Sequence, residues 1–188
     1  MSRSLGVADR IPSDAYFTPD HVAAQCIGAI PWNPYKTEPR IIEPSIGAGA
    51  FARAIRKVQP RAFIYGIDIG AESAGFQHTD AHHVGNFMDA DLPADWIIGN
   101  PRYRQAEARI RHALECAPQV AFLLRLAFLE SVKRAPFWRE HPAASVHVFS
   151  KRPSFTGGTT DSAAYGFFQW NRAHTGPTTL HHIAPEAP

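Results

Sequence analysis

The feature that most constrains the fold is an alternation running from residue 40 to residue 126. Apolar runs of strand length at 40–43, 62–68, 95–99 and 119–126 are separated by stretches of helical spacing, notably 49–58 and 105–116. The last run, Gln119-Val120-Ala121-Phe122-Leu123-Leu124-Arg125-Leu126, has almost no polar face. Such a strand must be covered on both sides, as is the centre of a mostly parallel sheet flanked by helices. A shorter run near 82–87 fits one more strand. Two later β-like runs, 145–150 and 164–170, flank a Gly/Ser/Thr/Pro loop and read as an antiparallel hairpin. Ahead of the sheet, Val22, Ala23, Cys26, Ile27 and Ile30 recur at helical spacing, with Thr18 or Asp20 as a cap and Pro19 near the first turn. The expectation is an α/β chain with a mostly parallel sheet and an antiparallel C-terminal hairpin. It forms one domain over 1–188, with a flexible lead over 1–13 and a flexible tail over 173–188.

Composition removes several alternatives. Hydrophobic residues make up 45% of the chain and charged residues 19%, which excludes a disordered polymer. No apolar stretch approaches the roughly 18–20 residues that span a bilayer, so no membrane association is expected. Met1 to Pro12 lacks the apolar core of a secretion signal. Cys26 and Cys116 show no paired spacing and read as reduced thiols of a cytoplasmic protein. Charge is divided unevenly. Residues 1–101 hold 8 basic and 11 acidic side chains, and residues 102–188 hold 11 and 6. A basic C-terminal half suits a polyanionic partner, although an ordinary solvated surface has the same composition.

In open α/β sheets ligands bind beyond the carboxyl ends of the strands, so the residues there carry the most information. The first strand ends in Glu43-Pro44-Ser45-Ile46-Gly47-Ala48-Gly49-Ala50-Phe51. Gly47 and Gly49 permit a tight turn and close approach of a ligand to the backbone. The same segment fits the dinucleotide pattern G-x-G-x-x-A, so a nicotinamide cofactor is a rival. Two features oppose it. Glu43-Pro44-Ser45 intervenes between strand and glycines, and a carboxylate there repels a pyrophosphate but suits the cationic amino-acid end of S-adenosylmethionine. Asp68 ends the second strand and can accept from both ribose hydroxyls, a role common to either cofactor.

The fourth strand runs into Asn100-Pro101-Arg102-Tyr103. An amino group conjugated to a nucleobase is a poor nucleophile. Two rigid acceptors, the Asn100 side-chain carbonyl and the Pro101 backbone carbonyl, can orient its N–H bonds and draw its lone pair out of conjugation. Tyr103 can stack on the base, which must leave its helix to arrive there. Taken alone, an Asn-Pro turn next to an aromatic is also a common loop.

Together the ordered set Tyr16-Phe17-Thr18-Pro19, Glu43 to Phe51, Gly66-Ile67-Asp68 and Asn100 to Tyr103 resembles the N6-adenine DNA methyltransferases. Further elements, Phe122 to Leu126, Phe128-Leu129-Glu130-Ser131 and Arg152-Pro153-Ser154-Phe155-Thr156-Gly157, are similar to small phage-type adenine methylase-like proteins. The resemblance covers roughly residues 14–171 and implies a Rossmann-like methyltransferase sandwich, S-adenosylmethionine as cofactor, DNA as partner and a phage or prophage origin. It implies that Tyr16, Phe17, Thr18 and Pro19 cover the methionine end of the cofactor. Glu43, Ser45, Gly47, Gly49, Asp68, Asn86, Phe87 and Asn100 complete the cofactor site. Asn100, Pro101 and Tyr103 carry catalysis. Two positions depart from the family pattern. Arg102 stands where a second proline is usual. Asn86 stands where an acid usually accepts from the cofactor's adenine amino group, with Asp80 or Asp89 as substitutes. These departures also admit a nucleic-acid binder of this fold with weak or lost activity. Cytosine N4, RNA or a protein amide are the alternative targets.

The loop from Lys151 to Ser162 lies over the target base in that family. Phe155 either stacks on the base or tucks into the core, while Lys151, Arg152 and Thr156 are placed to meet phosphate, with Arg102 and Arg104 as weaker candidates. Arg104, Arg109 and Arg111 read as one solvated helix face, with a phosphate contact as the weaker alternative. Trp138, Phe168 and Trp170 read as core. His78, His82 and His83 near Asp80 read as a solvated loop and not a metal site, and His181-His182 as part of the tail. No separate target-recognition region is evident, so selectivity is expected to be low or to come from a homodimer or a recognition partner.

Overall fold

The computed structural model describes residues 17–155 and 162–184. Eight strands form one sheet: β1 (Arg40–Glu43), β2 (Phe63–Asp68), β3 (Ala81–Val84), β4 (Trp96–Gly99), β5 (Gln119–Arg125), β6 (Ser145–Phe149), β7 (Tyr165–Asn171) and β8 (Thr179–Ile183). Their spatial order is β3-β2-β1-β4-β5-β7-β6-β8. β1 to β5 pair in parallel, β7 lies antiparallel to both β5 and β6, and β8 is parallel to β6. The chain builds outward from β1 through β2 to β3, then returns to place β4 on the other side of β1. That reversal is a switch point, and it opens a crevice at the carboxyl ends of β1 and β4.

Helices α1 (Asp20–Gly28) and α2 (Ala50–Val58) cover one face, and α3 (Ala106–Cys116) the other. Side chains alternate between the faces. Ile41 and Leu123 pack with Ile27, Phe51 and Ile55, whereas Ile42, Phe122 and Leu124 pack with Ile110 and Phe168. The apolar run of β5 therefore has no solvent face, as its composition demands. Phe168 and Trp170 are core, and Trp138 stacks on Trp170 with ring centroids 6.2 Å apart. No helix among the described residues is long and apolar enough to cross a membrane.

Four expectations need correction. The supposed tail contains β8, held on β6 in register from Ser145↔Thr179 to Phe149↔Ile183. Its residues are mostly exposed and show no apolar alternation, so backbone pairing alone makes the strand. His181 is thereby stacked on His147, centroids 4.6 Å apart. Likewise His82 and His83 fall on β3 and not in a loop, with His82 stacked on Phe76. A short helix, α4 (Ala135–Glu140), follows β5 where no helix was expected. Finally, α1 is capped by Pro19 with no side-chain bond, because Thr18 is engaged elsewhere.

Candidate active site

β1 and β4 are direct neighbours, with Ile41 opposite Trp96 and Ile42 opposite Ile97, so their carboxyl ends emerge side by side. A Cβ on Gly99 would lie 3.3 Å from Pro44 and 3.6 Å from Glu43 Cγ. The Asn-Pro turn thus rests on the Glu-Pro turn. One cleft is lined by Phe17, Ser45, Gly47 and Asp68 from the first half of the motif set and by Phe87, Asn100, Pro101 and Tyr103 from the second. A smaller adjoining recess is lined by Thr18, Glu43, Gly47 and Asn100 among others.

The loop between β1 and α2 needs its glycines. Gly47 and Gly49 have φ of 49° and 79°, in the left-handed region that other residues avoid. A Cβ on Gly49 would come within 2.8 Å of Gly75 Cα, and one on Gly47 within 3.2 Å of the Phe17 ring. The loop is pinned from outside by the Gly75 N–H, which donates to the Gly47 carbonyl at 2.8 Å. Beneath it lies Glu43, only 2% exposed, with Oε2 buried and without a hydrogen-bond partner. Burial pushes this carboxyl well above the usual carboxylate range, against smaller opposing effects of the Ala52 N–H and Arg53.

Asp68 and Asn86 behave differently. Asp68 Oδ2 accepts from the Gly47 N–H and Oδ1 from the Gly70 N–H, both at 2.9 Å. The acid at the β2 tip therefore ties the glycine loop to its own strand. Asn86 Oδ1 accepts from the Met88 N–H at 3.3 Å and caps the 3-10 turn Phe87–Asp89. Asn86 does not line the cleft, whereas its neighbours Gly85 and Phe87 do. A short polar side chain that can bond its own backbone two residues on does so here, and its oxygen is taken. Neither proposed substitute lines the cleft. Asp80 is bonded to the Ile64 N–H and to Arg56 near the start of β2, and Asp89 is exposed.

At the β4 tip, Asn100 Nδ2 donates to Thr18 Oγ1 at 3.1 Å, which fixes the amide and leaves Oδ1 buried without a partner. Pro101 is buried beside it. The Tyr103 ring has the Arg125 guanidinium 5.0 Å from its centroid and the Tyr165 ring at 6.0 Å. Its hydroxyl is buried, and burial, then Tyr165, holds the phenol well above its ordinary value. Phe155 packs on Tyr165 with centroids 4.9 Å apart and against the core, so it does not face the cleft. Arg102 lines the cleft, while Lys151 and Arg152 are exposed outside it. Tyr16, Thr156 and the Arg104 side chain lie outside the described residues.

Two residues were missed. Arg109, expected on a solvated helix face, is 5% exposed and lines the cleft. The available signal was its spacing: it shares a face with Ala106 and Ala113, three residues before and four after. Arg125 closes β5 against Tyr103 and Tyr165, and nothing in the pattern of an apolar strand marks it.

No family model matches the chain, and no curated protein matches it in sequence. Solved structures match in fold. A protein of Listeria monocytogenes described as a class I S-adenosylmethionine-dependent methyltransferase superposes with a TM-score of 0.70 at 13% identity, over 93% of this chain and 68% of that one. The methyltransferase subunit of a type I restriction-modification system from Streptococcus thermophilus gives 0.71 at 14% identity, over 89% and 47%. A protein of Pyrococcus horikoshii described as an RNA methyltransferase gives 0.64 at 12% identity, over 83% and 85%. The fold is a Rossmann-like methyltransferase fold. This chain spans about half the length of the Streptococcus subunit, and the three matched proteins are described with different or unstated substrates. The methyltransferase fold thus locates the cleft at the expected end of the sheet and leaves the target to the residues within it.

Proposed function

We propose that the protein transfers a methyl group from S-adenosylmethionine to the exocyclic amino group of adenine in DNA. The observation that carries this reading is the pair of buried, unpartnered oxygens, Glu43 Oε2 and Asn100 Oδ1, at neighbouring strand ends across the switch point. Buried polar groups without partners are rare and costly, and a ligand that supplies N–H groups to both accounts for them.

The cleft fits the cofactor by its own chemistry. Glu43 meets the ammonium of the methionine part, a cation that favours its ionised form. The open backbone at Gly47 and Gly49 admits the chain close to the strand end. Asp68 keeps lone pairs free beyond its two backbone bonds, so it can still accept from ribose hydroxyls. Phe87 and Ile69 offer apolar surface to the adenine ring. When bound, S-adenosylmethionine supplies an electrophilic methyl group on a sulfonium.

Asn100 Oδ1 and the Pro101 carbonyl accept the two N–H bonds of the target amino group. That grip localises the nitrogen lone pair toward the methyl carbon. Asn100 and Pro101 would keep hold of the amino nitrogen through the transfer, while one of its protons passes to solvent. Thr18 is a positioning residue, because its hydroxyl orients the Asn100 amide. Tyr103, braced by Arg125, is the platform for the flipped base. The replacement of a second proline by Arg102 leaves the Pro101 carbonyl in place. Adenine in DNA is favoured over other amino targets by the Asn-Pro-x-aromatic order at the β4 tip.

The test is to incubate the protein with labelled S-adenosylmethionine and a mixture of DNA and RNA, then digest both pools. Label in N6-methyladenine from DNA is expected. Label in cytosine or in RNA would reassign the target, and label in neither pool would remove the proposal.

A further inference from the structure

Among the described residues, nothing explains the burial of Arg109. It sits in the second turn of α3, inside the apolar face formed by Ala106, Ile110 and Ala113. Its Nε and Nη1 are buried without a hydrogen-bond partner, and among the described residues it forms no ion pair. An apolar side chain would fill this place without the cost of an unpaired buried cation. The side chain lines the same cleft as Asp68, Ile69, Gly85 and Phe87. Burial disfavours the charged guanidinium most, Arg102 adds to that, and Asp68 opposes it.

We infer that Arg109 is a specificity residue that reads the purine edge of the adenosyl group by donating to one of its ring-nitrogen acceptors. The inference rests on the reading of this cleft as an S-adenosylmethionine site. With Asp68 at the ribose and Phe87 against the ring, the purine would share a cleft wall to which Arg109 contributes. The side chain at position 86, from which an acceptor for the adenine amino group was expected, is bonded to Met88 and turned out of the cleft. A guanidinium has donors only, so the polar contact to the base is reversed: the protein donates and a ring nitrogen accepts. A phosphate is the other ligand for a buried arginine. It is disfavoured because the Asp68 carboxylate lines the same cleft and would repel it.

The test is calorimetric binding of S-adenosylhomocysteine and of its 1-deaza, 3-deaza and 7-deaza forms, each lacking one ring acceptor. The wild type should lose roughly ten- to a hundredfold in affinity for one of the three forms, as for one charge-assisted hydrogen bond. Arg109→Met should lose about the same factor toward the parent ligand and no longer distinguish that form. It should also melt at a higher temperature than the wild type without ligand, because an unpaired buried charge is gone. This rise separates lost recognition from misfolding, and a lower melting temperature would count against the assignment. The inference is overturned if Arg109→Met binds the parent ligand as the wild type does. It is equally overturned if all three deaza forms bind the wild type undiminished, or if the variant loses only affinity for a phosphorylated oligonucleotide. If the wild type itself binds no S-adenosylhomocysteine, the reading of the cleft fails and this inference with it.

Discussion

The strand ends that form the cleft fall into two pairs with opposite character. At the inner pair, β1 and β4, the side chains Glu43 and Asn100 are fixed in place yet each keeps a buried oxygen unpartnered. At the outer pair, β2 and β3, Asp68 and Asn86 have polar side chains of the same two types, a carboxylate and an amide. There the oxygens are taken by the nearby N–H groups of Gly47, Gly70 and Met88. The same chemistry therefore does different work. The outer pair holds the loops in shape, and the inner pair holds an unmet demand for donors. Removing an inner-pair side chain should thus cost function at little or no cost in stability, whereas removing an outer-pair side chain should cost stability, Asp68 losing its contact to the ribose as well.

The largest effect that could break this contrast is on transfer itself. Asn100→Ala should lower methyl transfer by on the order of 10³-fold or more, while thermal stability shifts by less than about 1 kcal/mol. Undiminished turnover would end the contrast at the inner pair. Next in size, Asp68→Ala frees two backbone N–H groups and the left-handed Gly47. Urea unfolding should show a loss of about 2–3 kcal/mol. A loss in ligand affinity with no loss in stability would place Asp68 with the inner pair.

Glu43 gives a pH signature. Burial raises its pKa in the folded chain, so above about pH 4.5 the unfolded chain releases this proton while the folded chain holds it. Folding stability then falls as pH rises through that window. Glu43→Gln removes the effect. The stability gap in favour of the variant should widen as pH rises above about 4.5 in thermal melts without ligand. A gap that stays constant would mean that Glu43 is ionised in the free protein. The smallest effect sharpens the outer pair. Asn86→Ala removes one turn cap and should cost about 0.5 kcal/mol, with less than about a twofold change in affinity for S-adenosylhomocysteine.

Much of this was legible before any coordinates. Four of the parallel strands were visible because each is a short apolar run, whereas β3, with His82 and His83 at its centre, was read only near 82–87; the glycines at 47 and 49 and the Asn100-Pro101 pair flagged the two inner ends. Other features were hidden for physical reasons. β8 carries no hydrophobic alternation because it is an exposed edge. Asn86 was read for its chemistry, and only the local geometry reveals that its oxygen bonds its own turn. Arg109 was read as surface because arginine usually is, although its helical spacing places it among Ala106 and Ala113. Glu43 does end β1, as its sequence position implies, but the raised pKa of its carboxyl follows from burial that a single sequence does not display.

The central claim is that the unpartnered oxygens of the inner pair mark where the ligand goes. A crystal structure with S-adenosylhomocysteine tests it most directly. The ligand should lie across the β1 and β4 ends, its sulfur facing the Asn100 amide and its amino group toward Glu43, with the Asp68–Gly47 and Asn86–Met88 bonds intact. Density for the ligand at the opposite end of the sheet, in the groove lined by His147, His174 and His181, would contradict it.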